Sequence, residues 1–292
     1  MNAVFVELDH LLNINNTVKN SNKEKYERNS LEEALFLEEV EHYLKNYPNT
    51  QHVDIYLYDL NGHLRGKRID VKCLKPLTKA CYLPLSIYAM SLNGHVIEET
   101  GLGKFIGEPD HLCQPILGSL HPCAIDPESN AQLLLTMKDA HYQDCLIEPR
   151  NILKKILKQL HERNYRPCIA AEIEFYLQPL NGIEKAEETT TQCFDIHLSD
   201  THQQILDEIE TVAKLQNILI TGIISEASSG QYEINLQHTC DLLKLCDQIM
   251  LLKRTIKQIA HKHGFRANFL AKPDLLKAGS GMHVHMSLLD QD

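Results

Sequence analysis

The sequence of 292 residues has little that suits a nucleic acid or a membrane. It carries 29 Lys and Arg against 39 Asp and Glu, which gives a formal net charge of −10. A protein that binds phosphate backbones needs a clustered excess of basic side chains, so we expect no nucleic-acid partner. No apolar run approaches the roughly 20 residues that span a bilayer, and residues 1–10 contain acids where a secretory signal would be positively charged. The sequence therefore predicts a cytoplasmic globular protein without a membrane partner.

Two further absences concern cysteine and phosphate motifs. The nine cysteines are odd in number and none forms Cys-x-x-Cys, so we expect reduced thiols and assign neither a disulfide nor a zinc site. No Gly-x-x-x-x-Gly-Lys-Ser/Thr loop occurs, so any bound phosphate would have to be held by metal ions and cationic side chains. The hydrophobic content of 43% is sufficient for a substantial core.

The first half of the sequence indicates a helix followed by a small, mostly antiparallel domain. Residues 13–29 are polar and are expected to be flexible, and a capping box that opens at Ser30 predicts the helix start. Residues 52–60 alternate between the two faces of a strand, and the Asn61-Gly62 dipeptide that follows is a strong hairpin-turn signal. Proline and glycine interrupt residues 73–135 so often that only short strands are expected there.

After about residue 145 the pattern changes to strands that alternate with helices, which predicts an α/β catalytic domain. Helices are predicted from Pro149 onward and over residues 201–217 and 240–263, and strands over residues 168–177, 267–270, 282–288 and two segments within 218–236. Together with the first half, this makes the predicted fold class α+β.

Three segments of the second half place ionisable side chains on strands whose other residues are apolar. The pairs are Glu172 with Glu174, Glu226 with Glu233, and His283 with His285. Burying an uncompensated carboxylate is costly, so four of them predict a bound cation, and a carboxylate-rich donor set suits Mg²⁺ or Mn²⁺. A single Glu-x-Glu is more often the solvent face of a sheet, and a single His-x-His more often a hydrogen-bonded structural pair. The metal prediction therefore depends on the three pairs occurring together.

These segments and several others resemble the glutamine synthetase family. The motifs that carry the resemblance are Asp59-Leu60-Asn61-Gly62, Arg65-Gly66-Lys67, Glu172-Ile173-Glu174-Phe175-Tyr176-Leu177, Glu226 with Gly230-Gln231-Tyr232-Glu233, Asn235-Leu236-Gln237-His238, Ala271-Lys272-Pro273 and Gly279-Ser280-Gly281-Met282-His283. The resemblance implies a variable segment and helix at residues 1–48, a β-grasp domain at 49–144 and an incomplete glutamine-synthetase-type α/β catalytic domain at 145–292. It also implies homo-oligomeric rings in full-length relatives, with each active site shared between two subunits.

The resemblance further implies roles for individual residues. Glu174, Glu226 and Glu233 would bind the metal ion that positions the amino-acid carboxylate, and Glu172 and His283 would bind a second ion that bridges the phosphates of ATP. His285 and Ser287 would lie near the nucleotide, Gly279 would lie in the loop that contacts glutamate, and Asp59 would attract ammonium in the neighbouring subunit's site.

The implied activity is the ATP-dependent formation of a γ-glutamyl amide from glutamate and ammonia or a polyamine, through a γ-glutamyl phosphate. Such a phosphoryl transfer requires charge neutralisation and alignment, which two metal ions supply. Ala278 stands where glutamine synthetases proper usually have Asn, which favours the γ-glutamyl-polyamine ligase branch and hence an amine larger than ammonia.

The same resemblance implies that roughly the last third of the family fold, with its phosphate-binding arginines, is missing. A truncated, non-catalytic family member that acts through assembly or metal binding is therefore an alternative. A third interpretation, an unrelated metal-dependent hydrolase, predicts catalysis without ATP. We also expect Asp59 to lie in solvent at an exposed hairpin tip, and we expect uncovered apolar faces to favour association.

Overall fold

The structure, a computed structural model, describes residues 21–182 and 192–290, with side chains from residue 31 onward apart from Ala80. The fold is mixed α/β and contains two sheets, each with its own hydrophobic core. The helices are α1 Ser21–Asn46, α2 Leu77–Ala80, α3 Pro149–His161, α4 Asp200–Leu215 and α5 Leu242–Lys262. None of the helices in the described ranges combines the length and the apolar content that crossing a membrane requires.

The strands follow the same two-part division. They are β1 His52–Tyr58, β2 Leu64–Asp70, β3 Tyr82–Pro84, β4 Asp110–Pro115, β5 His121–Pro122 and β6 Asn130–Met137 in the first sheet, and β7 Tyr165–Pro179, β8 Ile220–Ser225, β9 Gln231–Leu236, β10 Phe265–Asn268 and β11 Met282–Asp290 in the second. Each predicted strand and helix of the second half is present, with bounds that differ by a few residues.

The first sheet has the strand order β2-β1-β6-β4-β3, with β5 also paired to β6. β1 and β2 form the predicted antiparallel hairpin around Asn61-Gly62, and β1 also runs parallel to β6. Val53, Ile55 and Leu57 alternate along β1 and are buried, together with Phe36 from α1. The apolar face that the sequence predicts for this strand is therefore confirmed.

Helix α1 begins earlier than the sequence indicates. Within the described residues it extends from Ser21, so the predicted start at Ser30 is wrong and residues 21–29 are helical rather than flexible. Lys and Glu are frequent in this stretch and have good intrinsic helix propensity, so the helix continues through Ser30. Residues 13–20 of the expected flexible segment lie outside the described residues.

The second sheet is antiparallel and has the strand order β10-β7-β9-β8. β11 pairs with residues 165–173 of β7, on the edge opposite to β9. Phe175 of β7 and Ile234 of β9 are fully buried against Ile205 of α4 and Ile256 of α5. Because side chains alternate along a strand, the opposite face of the sheet carries the polar residues of the same strands.

The two sheets are joined by polar contacts that involve α5 and the end of α4. Gln216 donates a hydrogen bond to the carbonyl oxygen of Pro122 at 3.1 Å and accepts one from Thr255 at 2.8 Å. Arg254 of α5 forms an ion pair with Asp54 of β1 at 2.6 Å. These groups are buried or nearly so, and they satisfy one another across the boundary between the two cores.

His121 at this boundary makes stability depend on pH. Burial, followed by the charge of Lys244, lowers the pKa of His121 to about 4. In the unfolded chain the imidazole binds a proton near pH 6.5, whereas in the folded chain it does so only near pH 4. The stability that neutral His121 contributes is therefore present above pH 6.5. As the pH falls towards 4, the free energy of unfolding decreases by up to about 3 kcal/mol. We expect His121→Gln to flatten the dependence of unfolding free energy on pH in urea titrations. The exposed His161→Gln control should keep the wild-type slope, and equal slopes in all three proteins would contradict the assignment.

Candidate active site

β7 lies between β9 and β11, and its register brings together ionisable residues from three strands. Glu174 is paired with Glu233 of β9, and Glu172 is paired with His283 of β11. Directly paired residues of neighbouring strands point to the same face. The four side chains therefore lie on the face of the sheet opposite to the helices that bury Phe175.

Glu172, Glu233 and His283 are close enough to share one metal ion, since each offers an atom that lies within 4.8 Å of the other two. His283 Nδ1 lies 3.2 Å from Glu172 Oε2 and 3.7 Å from Glu233 Oε2. His285 Nε2 lies 3.0 Å from Glu172 Oε1. The predicted nucleotide residue His285 is thus in direct contact with a predicted metal ligand. Ser287 follows on the same strand, opposite Cys168.

Glu174 and Glu226 complete the group of predicted metal ligands. A Cβ atom added at Gly281 would lie 3.1 Å from Glu174 Oε1 and 3.4 Å from His283 Nε2, so Glu174 and His283 flank the same glycine. Glu226 directly follows β8, and its charge acts on Glu233. The structure therefore gathers all five residues around one face of the sheet. We call Glu172, Glu174, Glu226, Glu233 and His283 the carboxylate–histidine cluster.

The electrostatics of the cluster indicate a shortage of positive charge. Burial, followed by the neighbouring charges of Glu172, Glu226 and Glu174, raises the pKa of Glu233. Burial also acts to raise the pKa of Glu172, but hydrogen bonds and charges from His285 and His283 outweigh it and lower the pKa. The two histidines therefore stabilise one carboxylate while the others repel each other, and a divalent cation would relieve this repulsion.

Two amides, to which the sequence motifs assign no role, position the carboxylates. Gln231 Nε2 donates to Glu174 Oε2 at 3.1 Å and to the carbonyl oxygen of Gly279 at 2.9 Å. Asn235 Nδ2 donates to Glu172 Oε1 at 3.1 Å. Gln231, Glu233 and Asn235 occupy alternate positions of β9 and therefore point to the same face. The alternation of that strand could have identified both amides.

The donor set fits a hard divalent cation. Carboxylate oxygens predominate, a single imidazole is added, and the glutamates are themselves held by amide groups, as ligands of a metal usually are. Within the described residues, the side-chain oxygens of Gln231 and Asn235 are buried without a hydrogen-bond partner. The cluster therefore combines a surplus of negative charge with further oxygen atoms whose hydrogen-bonding capacity is unused.

The loop before β11 is tied to the sheet beside the cluster. Gly279, the predicted glutamate-contact residue, accepts a hydrogen bond from Gln231. Its neighbour Ala278 donates through its backbone N–H to Ser228 Oγ at 2.9 Å and accepts from the Tyr176 hydroxyl at 2.7 Å. A side chain at Gly279 would place its Cβ 2.9 Å from the carbonyl oxygen of Ala271, so the close approach of this loop requires glycine.

Asp59, the predicted ammonium residue, is buried, and the expectation of an exposed, unpartnered carboxylate is wrong. Its side chain has no exposed area, and Oδ1 accepts hydrogen bonds from the backbone N–H groups of Asn61 at 2.8 Å and His63 at 2.9 Å. Oδ2 accepts from Arg65 Nε at 2.9 Å. The turn folds back over the carboxylate because these donors satisfy it locally. Asp59 also lines a cavity of about 340 Å³ together with Met250 of α5.

We expect Asp59→Ala to destabilise the chain by about 1–3 kcal/mol, because two backbone donors and Arg65 lose their acceptor. Urea unfolding monitored by circular dichroism measures the effect. Asp70→Ala is the matched control, since Asp70 is exposed and accepts a hydrogen bond from one backbone donor, that of Lys72. Equal losses in the two variants would contradict a structural role for the Asp59 carboxylate.

Comparison with known proteins shows which family the chain resembles. Residues 146–292 match the family model of the glutamine synthetase catalytic domain. The chain is 45% identical over 269 residues to gamma-glutamylputrescine synthetase PuuA of Escherichia coli, and this alignment covers 87% of this chain and 57% of that protein. It is 29% identical over 252 residues to the glutamate–isopropylamine ligase of a Pseudomonas species, and that alignment covers 80% of this chain and 53% of the ligase. The chain thus spans little more than half the length of these relatives.

Among solved structures, a GmaS/ADP complex superposes with a TM-score of 0.71 at 22% identity and covers 85% of this chain and 55% of that one. This likeness shows a shared fold that extends beyond residues 146–292. The matched family domain covers half of the chain and includes every residue of the carboxylate–histidine cluster. The chain therefore belongs to the glutamine synthetase family.

Proposed function

We propose that the chain is the part of an ATP-dependent ligase that joins the γ-carboxylate of glutamate to an amine through a γ-glutamyl phosphate. The observation that carries the proposal is the carboxylate–histidine cluster on three adjacent strands, where Glu172, Glu233 and His283 lie within reach of one ion. The named activities of the two relatives above, which both join an amine to a glutamate unit, support this choice.

The proposed metal ligands are divided between two Mg²⁺ or Mn²⁺ ions. Glu174, Glu226 and Glu233 would hold one ion, and Glu172 and His283 would hold the other. Glu233, which belongs to the first set, also offers an atom within 4.8 Å of ligand atoms of Glu172 and His283. When bound, the ions would neutralise the charge of the ATP phosphates and of the glutamate γ-carboxylate. The pairing of β7 with β9 and β11 sets the positions of Glu172, Glu174, Glu233 and His283.

The proposed substrate contacts surround the cluster. His285 and Ser287 would contact the nucleotide from β11, and the tied loop at Gly279 would contact glutamate. Asp59 would attract the ammonium form of the amine in the site of a neighbouring subunit. Because Arg65 already occupies one oxygen of Asp59, this role requires the Arg65 contact to be exchanged when subunits assemble. Asp59→Asn would then lose activity in the assembled enzyme while the protein stays folded.

The proposed acceptor is a polyamine such as putrescine rather than ammonia. Ala278 replaces the Asn that is usual in glutamine synthetases proper, and the relatives above act on putrescine and isopropylamine according to their names. Ammonia remains the alternative acceptor. The loop that carries Ala278 is fixed by Ser228 and Tyr176, so its position beside the cluster does not depend on the substituted side chain.

We also propose the domain division that the resemblance implies. Residues 49–144 would form the β-grasp domain and residues 145–292 the catalytic part, with residues 1–48 as a variable segment. Two separate cores, one on each sheet, support this boundary. Assembly into homo-oligomeric rings and a cytoplasmic location belong to the same proposal.

A phosphate-release assay with ATP, glutamate and Mn²⁺ tests the function, with ammonium, putrescine or isopropylamine supplied separately. We expect release that requires both glutamate and an amine and is fastest with putrescine. Glu172→Gln, which removes one proposed ligand without changing its size, should abolish the release. Phosphate release without glutamate, or none with any amine alongside intact Mn²⁺ binding, would contradict the ligase proposal. The second outcome would favour a metal-binding, non-catalytic family member.

A further inference from the structure

Two cysteines lie opposite each other near the N-terminal end of β7, on the face of the sheet that carries the carboxylate–histidine cluster. Ile169 of β7 and Thr239, which follows β9, form an antiparallel bridge. Each backbone N–H donates to the carbonyl oxygen of the other residue at 2.9 Å. Cys168 and Cys240 are the next residues outward from this doubly bonded pair, so they form a directly opposed pair without backbone hydrogen bonds. Cα atoms in such pairs lie about 4.5 Å apart, which is within the range that a disulfide spans.

The bridge places the two side chains next to each other, and both are partly exposed. The interaction with Cys240, followed by burial, raises the pKa of the Cys168 thiol. Both cysteines are reduced in the structure. The charge of Arg166 acts in the opposite direction and limits this rise, and the thiolate is the form that attacks a disulfide.

We propose that Cys168 and Cys240 form a reversible cross-strand disulfide when the protein meets a small oxidising disulfide such as glutathione disulfide. One cysteine thiolate attacks glutathione disulfide and releases one reduced glutathione. The second cysteine then displaces the attached glutathione, so an intramolecular S–S bond forms. In total two cysteine thiols lose two protons and two electrons, and one glutathione disulfide becomes two reduced glutathiones.

The position of the pair links it to the site. Cys168 and Glu172 lie an even number of residues apart on β7, so both point to the cluster face, and Cys168 faces Ser287 on β11. Cys240 follows the strand that carries Glu233. The bond would therefore fasten the two strands that supply most of the carboxylates. It would also close a loop of roughly 70 residues, which should stabilise the folded chain against heat and urea.

Peptide mapping of the native chain under non-reducing conditions tests the proposal. After equilibration with glutathione disulfide, we expect one linked peptide pair that contains Cys168 and Cys240, with a mass lower by two hydrogen atoms. Dithiothreitol should reverse the bond, and the oxidised chain should melt several degrees above the reduced chain. The linked pair should form much less often when the oxidation is carried out in urea.

Two variants make the result specific. Cys240→Ser should abolish both the linked peptide and the rise in melting temperature. Cys73→Ser, which removes an exposed cysteine of the first sheet region, should leave both unchanged. The proposal is overturned if the two cysteines of the folded wild-type chain stay reduced, or if they stop at mixed disulfides with glutathione. A linked pair that forms equally well in urea would overturn it too.

Discussion

Replacing Glu233 with Gln is expected to weaken Mn²⁺ binding by at least about 100-fold while making the metal-free chain more stable. Groups that only support a metal ligand typically change affinity by about 10- to 100-fold, so the loss of a proposed direct ligand should match or exceed the upper end of this range. The stability gain arises because Glu233 is buried among Glu172, Glu174 and Glu226, whose charges raise its pKa. Gln keeps the size of the side chain and removes the repulsion.

Calorimetric titration with Mn²⁺ and thermal melts with and without the ion measure both effects. The wild-type chain should gain melting temperature on adding Mn²⁺, and Glu233→Gln should start higher and gain little. Glu210→Gln is the control, since Glu210 lies on α4 in an exposed pair with Lys214. If the metal-free variant were less stable than the wild type, the inferred shortage of positive charge in the cluster would be wrong.

Replacing Phe175 with Ala is expected to reduce the free energy of unfolding by about 3–5 kcal/mol, the usual cost of removing a fully buried Phe. Phe175 has no exposed area and contacts the rings of Tyr232 and Phe269. It also lies next to Glu174 in β7, with its side chain on the opposite face. The cavity left behind would loosen the support of the strand that carries two carboxylates, so Mn²⁺ affinity should fall as well.

Urea unfolding and Mn²⁺ titration of the same samples provide the test. Phe105→Ala is the matched control because its ring is 89% exposed, and it should change stability by no more than about 0.5 kcal/mol. A small effect at Phe175 would mean that the helices above the second sheet do not pack as tightly as the described contacts indicate.

The local patterns of the sequence are sufficient to predict most helices and strands, including the strands that carry the candidate metal ligands. Alternation along residues 52–60 predicts β1, and pairs of ionisable residues two apart predict which faces of β7 and β11 are polar. Such patterns depend on the fixed geometry of a strand, which nearby residues express directly. Local patterns misplace the start of α1. A capping box can mark the start of a helix, but the Lys and Glu residues before Ser30 have good helix propensity, so the helix extends past it.

The burial of Asp59 and its hydrogen-bond donors are the features that the sequence pattern predicts least well. The Asn61-Gly62 dipeptide correctly indicates a turn, but a turn signal does not say which way the donors of the loop point. In the structure two backbone N–H groups and Arg65 converge on the carboxylate and bury it. Burial of a polar group depends on whether every partner is satisfied, and this is a property of the folded loop.

The sequence by itself determined the family, the order of helices and strands and the identity of the candidate ligands, because these follow from local periodicity and short motifs. The tertiary structure alone decided that Glu172, Glu233 and His283 lie within reach of one ion, that Gln231 and Asn235 donate to the carboxylates, and that Cys168 lies opposite Cys240. Each of these contacts joins residues that are far apart along the chain or depends on cross-strand register. Register is set by packing of the whole sheet against its helices, and no local pattern contains it.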